Sequence, residues 1–293
     1  MKNILVPTDF SEHSTWALEV AIMLAKRTNA AIHLLHVVDV PTYTFNAAYE
    51  RLAMQKRQEL LAETSKQLAE LAESTAAQGV KLNHVLEQGT TYKLIVETAD
   101  ANNCDVIVMG THGISGLKKL FIGSTTERVI HTANCPVLSI RQQVSKVDIK
   151  QLVFASNFFG EVIEVFPKVY AFAQAFDAKL QLVRINTPGN FETTRFINKQ
   201  VREFVKLCHI KNYEMTIYND NTEEEGVLNF AEDVSADLIA IATHERTTLS
   251  HLINPSVAEG LSERAALPIL TVKITAPSLK YELSRVDRVY GMT

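Results

Sequence analysis

The sequence predicts an open α/β protein in which a parallel sheet, covered by helices on both faces, occurs twice. Three observations lead there. Stretches of strand character alternate with amphipathic stretches along the chain. Runs such as Val106-Ile107-Val108-Met109 are continuously apolar, as strands buried on both faces require. The pattern also repeats. Ile4-Leu5-Val6-Pro7-Thr8-Asp9-Phe10 returns as Leu152-Val153-Phe154-Ala155-Ser156-Asn157-Phe158, at an offset of 148. Cys104-Asp105-Val106-Ile107-Val108-Met109-Gly110-Thr111-His112 returns as Ala236-Asp237-Leu238-Ile239-Ala240-Ile241-Ala242-Thr243-His244, at an offset of 132. Cys135-Pro136-Val137-Leu138 matches Leu267-Pro268-Ile269-Leu270 at that second offset, so the first copy carries 16 more residues in its middle. A period this long is a tandem duplication and not a solenoid. The expected organisation is a domain over 1–143, a second over 148–275 and a polar tail over 276–293.

In the first copy, Ile4–Val6 is a short β-rich run, and Trp16, Val20 and Leu24 form one stripe of the helix that follows. Ala31–Val38 is the next strand. A long helix runs from about Tyr49 to Ala77, with Leu60, Leu61, Leu68 and Leu71 expected to face inward and Glu59 and Glu63 preceding Lys66 on the outer side. Val80–Leu86 is a third strand, Leu94–Ala101 a helix and Val106–Met109 a fourth strand. A helix over Thr125–Thr132 and a strand over Val137–Ile140 close the copy. The second copy follows the same plan. Val137–Ile140 and Leu270–Ile274 are expected at sheet edges, which pair readily.

Composition narrows the classes. The 293 residues are 46% apolar and 21% charged, an ordinary globular balance. A net charge of −4 argues against a nucleic-acid binder that relies on a broad basic face. No apolar run approaches the roughly 20 residues of a membrane-spanning helix, and no signal peptide is visible. Three cysteines do not make a disulfide framework and suit a reducing, cytoplasmic setting.

The segment from Gly110 to Thr125 carries the most chemistry. It starts at the carboxyl end of a strand, where open α/β sheets bind ligands, and ends at a helix start. Glycines there permit positive φ and let backbone N–H groups approach an anion. A helix beginning after Gly123 adds free N–H groups and a positive dipole end. The expectation is a phosphate cradle. It lacks the Gly-Lys-Ser/Thr of a P-loop and the spacing of the dinucleotide fingerprint.

Gly110-x2-Gly113-x9-Gly123-Ser124 resembles the nucleotide-binding signature of the universal stress protein family. Val6-Pro7-Thr8-Asp9-Phe10-Ser11, Leu35-His36-Val37-Val38-Asp39 and Cys135-Pro136-Val137-Leu138 match as well, in order and spacing. The chain is identified on these motifs as a tandem member, matched in both halves apart from the tail. The resemblance implies two five-stranded parallel sheets of order 3-2-1-4-5, of the adenine nucleotide alpha hydrolase-like type. It implies ATP or a related adenine nucleotide as ligand, with Pro7, Thr8 and Asp9 among the binding residues and the Asp9 carboxylate accepting from the adenine amino group. Val37 would offer its backbone to the nucleoside, and Met109 and Gly110 would line the ribose and phosphate entrance. Gly113, Gly123, Ser124 and Thr125 would hold the phosphates, and any Mg²⁺ would be held through the phosphates. It further implies pairing of the two repeats within the chain, a homodimer of such chains and a regulatory role in stress, with no catalytic or metal-ligating residue assigned. A slow ATPase or autophosphorylating protein, with Ser124 or Thr125 as acceptor, and a nucleotide-free scaffold are the alternatives.

Simpler readings stand beside these. Ser124 with Glu127 has the spacing of a capping box, kept as Ser256 and Glu259. Asp9 with Glu12 could cap the first helix, as Asn157 could in the second copy. Gly110, Gly113 and Gly123 become Ala242, Glu245 and Pro255, so the second copy is expected to keep the fold without the nucleotide. His244 and His251 are expected to be structural or exposed. Cys104 and Cys135 are expected to be small core residues, and Lys118 and Lys119 to form a solvated loop face as readily as a phosphate contact.

Overall fold

The computed structural model describes residues 1–39, 47–112, 123–144, 148–244 and 255–274. The first half runs β1 (Asn3–Pro7), α1 (Glu12–Thr28), β2 (Ala31–Val38), α2 (Ala47–Ala76), β3 (Lys81–Gln88), α3 (Thr91–Ala101), β4 (Val106–Gly110), α4 (Ser124–Thr132) and β5 (Val137–Ile140). The second half runs β6 (Gln151–Ala155), α5 (Val162–Phe176), β7 (Lys179–Asn186), α6 (Thr194–Leu207), β8 (Tyr213–Asn219), α7 (Glu223–Asp233), β9 (Leu238–His244), α8 (Pro255–Arg264) and β10 (Ile269–Ile274).

All ten strands form one sheet in the order β3-β2-β1-β4-β5-β10-β9-β6-β7-β8. Each half therefore has the 3-2-1-4-5 order with parallel pairing. The two meet where β5 and β10 run antiparallel, with Leu270 opposite Leu138. The two strands expected at sheet edges thus cover each other, and the outer edges pass to β3 and β8. At this seam Ser139 Oγ donates to Ser262 Oγ and to the Ile269 carbonyl, both at 3.3 Å. Lys273 Nζ of the second half donates to the Thr132 carbonyl at 2.8 Å, satisfying an acceptor that the end of α4 leaves over.

Local chemistry accounts for the elements. Ser11 caps α1 by accepting from the Ser14 N–H, and Asn29 ends the helix in the left-handed region at φ 56°. The capping role considered for Asp9 therefore belongs to Ser11. Val20 and Leu24 are buried as expected, with Trp16 packed partly against them. Leu60 departs from expectation and is 51% exposed, while Leu68 is buried. The 30-residue α2 is roughly 45 Å long. The eight-residue β3 it lies against spans only about 27 Å, so part of the helix overhangs the sheet. On its outer face the ion pair is Lys66–Glu70, at 3.8 Å.

The second half has an aromatic core. Phe154, Phe166 and Phe204 are fully buried. Phe166 lies 5.1 Å from Phe154 and 4.8 Å from Phe204, centroid to centroid. Positive φ recurs at matched places, Phe10 with Phe158, Asn29 with Asp177 and Asn103 with Ser235, so the turns were duplicated with the elements. Burial pushes the Cys104 thiol up to about 12, and the Cys135 and Cys208 thiols to about 11. All three are protonated and unreactive near neutral pH. Among the described residues no helix is long and apolar enough to cross a membrane.

Candidate functional site

The first half opens a crevice between its first and fourth strands. β1 pairs with β4 only at Ile4↔Val106 and Leu5↔Ile107, although β1 continues to Pro7 and β4 to Gly110. Proline explains the early separation. The Thr8 N–H donates to Leu35 of β2 at 2.8 Å, and the Asp105 N–H donates to the Asn3 carbonyl on the opposite side. Backbone groups alternate sides along a strand, so Pro7 faces β4 at a place where it has no N–H to give. In the second half the corresponding residue is Ala155, and β6 stays paired with β9 through Ala155↔Ile241. β2 runs on to Val38, beyond β1. Val37, two residues after Leu35, turns its backbone groups toward the space β1 has left. Pro7, Thr8, Val37, Met109 and Gly110 thus gather at one end of the sheet. The Met109 side chain, however, is buried in the core beneath the crevice.

The loop after β1 is held by its own side chains. Thr8 Oγ1 accepts from the Phe10 N–H at 3.1 Å and lies 3.2 Å from Ser14 Oγ. Asp9 Oδ1 accepts from the Ser11 N–H at 3.1 Å. His36 lies with Nδ1 2.7 Å from the Thr8 carbonyl and stacks on Phe10 at 4.7 Å. Thr8 therefore fixes the loop with its hydroxyl, and Asp9 is set at the crevice by a short turn.

The glycines serve space and not positive φ. Gly110 and Gly123 both lie outside the left-handed region. A Cβ on Gly110 would fall 2.8 Å from the backbone carbon and oxygen of His13, because α1 starts directly against β4. A Cβ on Gly123 would lie 3.2 Å from the Thr111 carbonyl, to which the Gly123 N–H donates at 2.7 Å. Ala242 is accommodated in the second half, where the helix begins at Val162, two residues later by the repeat offset. Gly110→Ala is accordingly expected to displace the start of α1 and cost about 1–3 kcal/mol. Urea denaturation checks this, and unchanged stability would contradict it.

The expected capping box at Ser124 does not form. Gly123 is the N-cap of α4 and has no side chain to cap it with, and its carbonyl accepts from the Glu127 N–H at 3.0 Å. Ser124 is the first helical residue and is exposed, and Thr125 follows half-buried. In the second half α8 starts at Pro255, so Ser256 also lies inside its helix. The first-turn N–H groups of Ser124 and Thr125 are of the kind a helix leaves for an outside acceptor. Thr126 Oγ1 donates to the Gly110 carbonyl at 2.9 Å and ties α4 to the end of β4. Gly113, Lys118, Lys119, Glu245 and His251 lie outside the described residues.

In the second half the chain after β7 folds back on itself. Asn157, at the place of Asp9, is buried, as are Asn186 and Thr187. The Thr187 N–H and hydroxyl both donate to Asn190 Oδ1, at 2.8 and 2.9 Å, and Asn186 Nδ2 donates to the Glu192 carbonyl at 3.1 Å. Asn190 bonds Glu223 at the start of α7. Buried Arg184 pairs with Glu192 at 3.6 Å. Between Ala155, Ser156, Ile185, Ile241 and Val257 a space of about 10 Å³ remains, room for about one water. None of this folding back was legible as a motif; the cluster of Asn, Thr and Glu after a strand is its only trace in the sequence.

The universal stress protein family profile matches residues 1–141 and 164–273. The chain belongs to the universal stress protein family. Universal stress protein MJ0531 of Methanocaldococcus jannaschii is 35% identical over 145 residues, 48% of this chain and 82% of that protein. A universal stress protein structure from Archaeoglobus fulgidus superposes with a TM-score of 0.67 at 20% identity, covering 93% of this chain and 98% of that one. A functionally unknown Pseudomonas aeruginosa protein gives 0.61 at 18% identity, covering 100% and 98%. Both structures share the universal stress protein fold described here. Among the described residues no group of three or more His, Cys, Asp or Glu is placed to hold a metal ion.

Proposed function

We propose that this universal stress protein binds ATP, or a related adenine nucleotide, in its first half and uses occupancy of that site to regulate a stress response. The difference between the two halves carries the reading. One strand pair separates early at Pro7 beside a helix whose N-cap residue, Gly123, has no side chain to cap it. The other stays paired through Ala155, and the chain after β7 folds back on itself. The base would lie near Asp9 and the Val37 backbone, and the phosphates near Gly110, Gly113, Gly123, Ser124 and Thr125. Any Mg²⁺ would be carried by the phosphates. Hydrogen bonds from backbone N–H groups at α4 suit an anion in a chain that is acidic overall. The same reading takes the protein as cytoplasmic and as a homodimer of internally paired chains.

Denaturing the purified protein and identifying the released nucleotide by chromatography and mass spectrometry tests the reading. ATP with little ADP formed over hours is the expected result. Steady turnover would favour the ATPase alternative. A folded protein that releases no nucleotide and takes up no added ATP would refute the proposal.

A further inference from the structure

With β5 and β10 covering each other, the sheet ends in β3 and β8, and among the described residues no strand lies along the outer side of either. An unpaired edge is a template for another strand. On one face of β3, Lys81, Asn83, Val85 and Glu87 are all exposed, Val85 at 41%. On the other, Leu82 and Leu86 are half-buried against the core to which α2 contributes Leu68 and Ala72. His84, between those leucines, is exposed, so α2 leaves the outer margin of the strand open.

We propose that a second copy of this chain pairs antiparallel with β3, His84 opposite His84, and continues the sheet across a two-fold axis. This names the face that forms the homodimer and rests on the homodimer reading above. The direction of the backbone groups allows it. The Gly89 N–H donates to the Val38 carbonyl of β2 at 3.1 Å. Backbone groups alternate sides along a strand, so Val85 and Glu87 turn theirs to β2, while Leu82, His84 and Leu86 turn theirs outward. The outward residues fall opposite one another in this register. Leu82 meets Leu86 of the second copy, His84 meets His84 and Leu86 meets Leu82, for about six backbone hydrogen bonds.

The side chains are self-complementary in the same register. Lys81 falls opposite Glu87 once on each side of the axis, and Asn83 opposite Val85, with the two Val85 side chains diagonal to each other. Within one strand Lys81 and Glu87 stand about 20 Å apart, too far to meet. Setting Val85 opposite Val85 instead brings Glu87 to Asn83 and loses both charge pairs. The β8 edge has no such complement, because its one charged residue, Glu214, is already paired with Lys179 of β7.

The test is sedimentation velocity of the full chain over a concentration series. Wild type is compared with Lys81→Glu, Glu87→Lys, the double variant, an equimolar mixture of the two single variants, and His84→Pro. Each is checked for folding by thermal denaturation. Wild type is expected to be a dimer that dissociates on dilution. Each single reversal sets like charges opposite each other twice and is expected to weaken the dimer about tenfold or more. The double variant and the mixture restore opposite charges at both places and are expected to recover the dimer. His84→Pro removes an outward N–H and no bond to β2, and is expected to weaken the dimer at least as much while the chain stays folded. A dimer that keeps its strength in both single reversals, or in folded His84→Pro, overturns the inference and leaves the homodimer reading standing. Weakened single variants without recovery in the double variant and the mixture overturn it as well. A wild type that is monomeric at every concentration overturns both.

Discussion

Ser124→Glu is expected to leave the melting temperature unchanged or slightly raised while weakening ATP binding by about 100-fold or more. Ser124 is exposed and is the first residue of α4, with Gly123 and not Ser124 at the cap position, so its replacement removes no capping hydrogen bond. A carboxylate in the first turn of a helix is favourable by about 0.3–1 kcal/mol. A phosphate at the same helix start would then face a like charge. At about 5 Å and an effective dielectric constant near 20, that repulsion is about 3 kcal/mol, which corresponds to roughly two orders of magnitude in Kd. Stability and binding thus move in opposite directions, a pattern general damage to the fold does not produce. Ser124→Ala, measured by calorimetry alongside, is expected to stay within a fewfold of the wild type. Equal ATP affinity in Ser124→Glu and wild type would remove the phosphates from α4.

Phe166→Ala is expected to cost about 3–5 kcal/mol, the range for truncating a fully buried aromatic. Its ring has no exposed surface and touches Phe154, Phe204 and Tyr170. Alanine leaves a cavity among side chains that the strand β6 and the helices α5 and α6 hold in place. The cost belongs to the second half. ATP affinity of the variant, measured well below its transition, is therefore expected to stay within about twofold of the wild type. A destabilised protein with intact binding would fit a second half that serves as scaffold. Loss of binding in a protein still folded by circular dichroism would instead make the second half part of the site.

The fold was readable because its signals are local and occur twice. Val106-Ile107-Val108-Met109 declares a buried strand, and the repeat offsets assign its counterpart without any long-range knowledge. The antiparallel meeting of β5 and β10 followed from two apolar strands that would otherwise be edges. For the candidate site, only the position along the chain was legible. Pro7, Val37 and Gly110 were expected at the crevice, but their physical roles depend on neighbours distant in sequence. Pro7 acts by withholding an N–H from β4, and Gly110 by making room for His13. The capping box at Ser124 failed because Gly123 takes the cap position, a shift of one residue that spacing alone does not resolve. Leu60 failed because periodicity gives the face of a helix and not how far the sheet beneath it extends. The meeting of the His13 and His112 rings, 5.1 Å apart, came from packing between separate parts of the chain, which no single stretch of sequence encodes.

In the proposed arrangement one half of the chain keeps a nucleotide site and the other does not. Equilibrium titration of the full chain with ATP, read as sites per chain, tests this most directly. One site per chain is the predicted result, weakened by about 100-fold or more in Ser124→Glu and left in place when Asn190 and Glu192 are replaced by alanine. Two equivalent sites per chain, or a single site whose affinity is unchanged in Ser124→Glu, would contradict it.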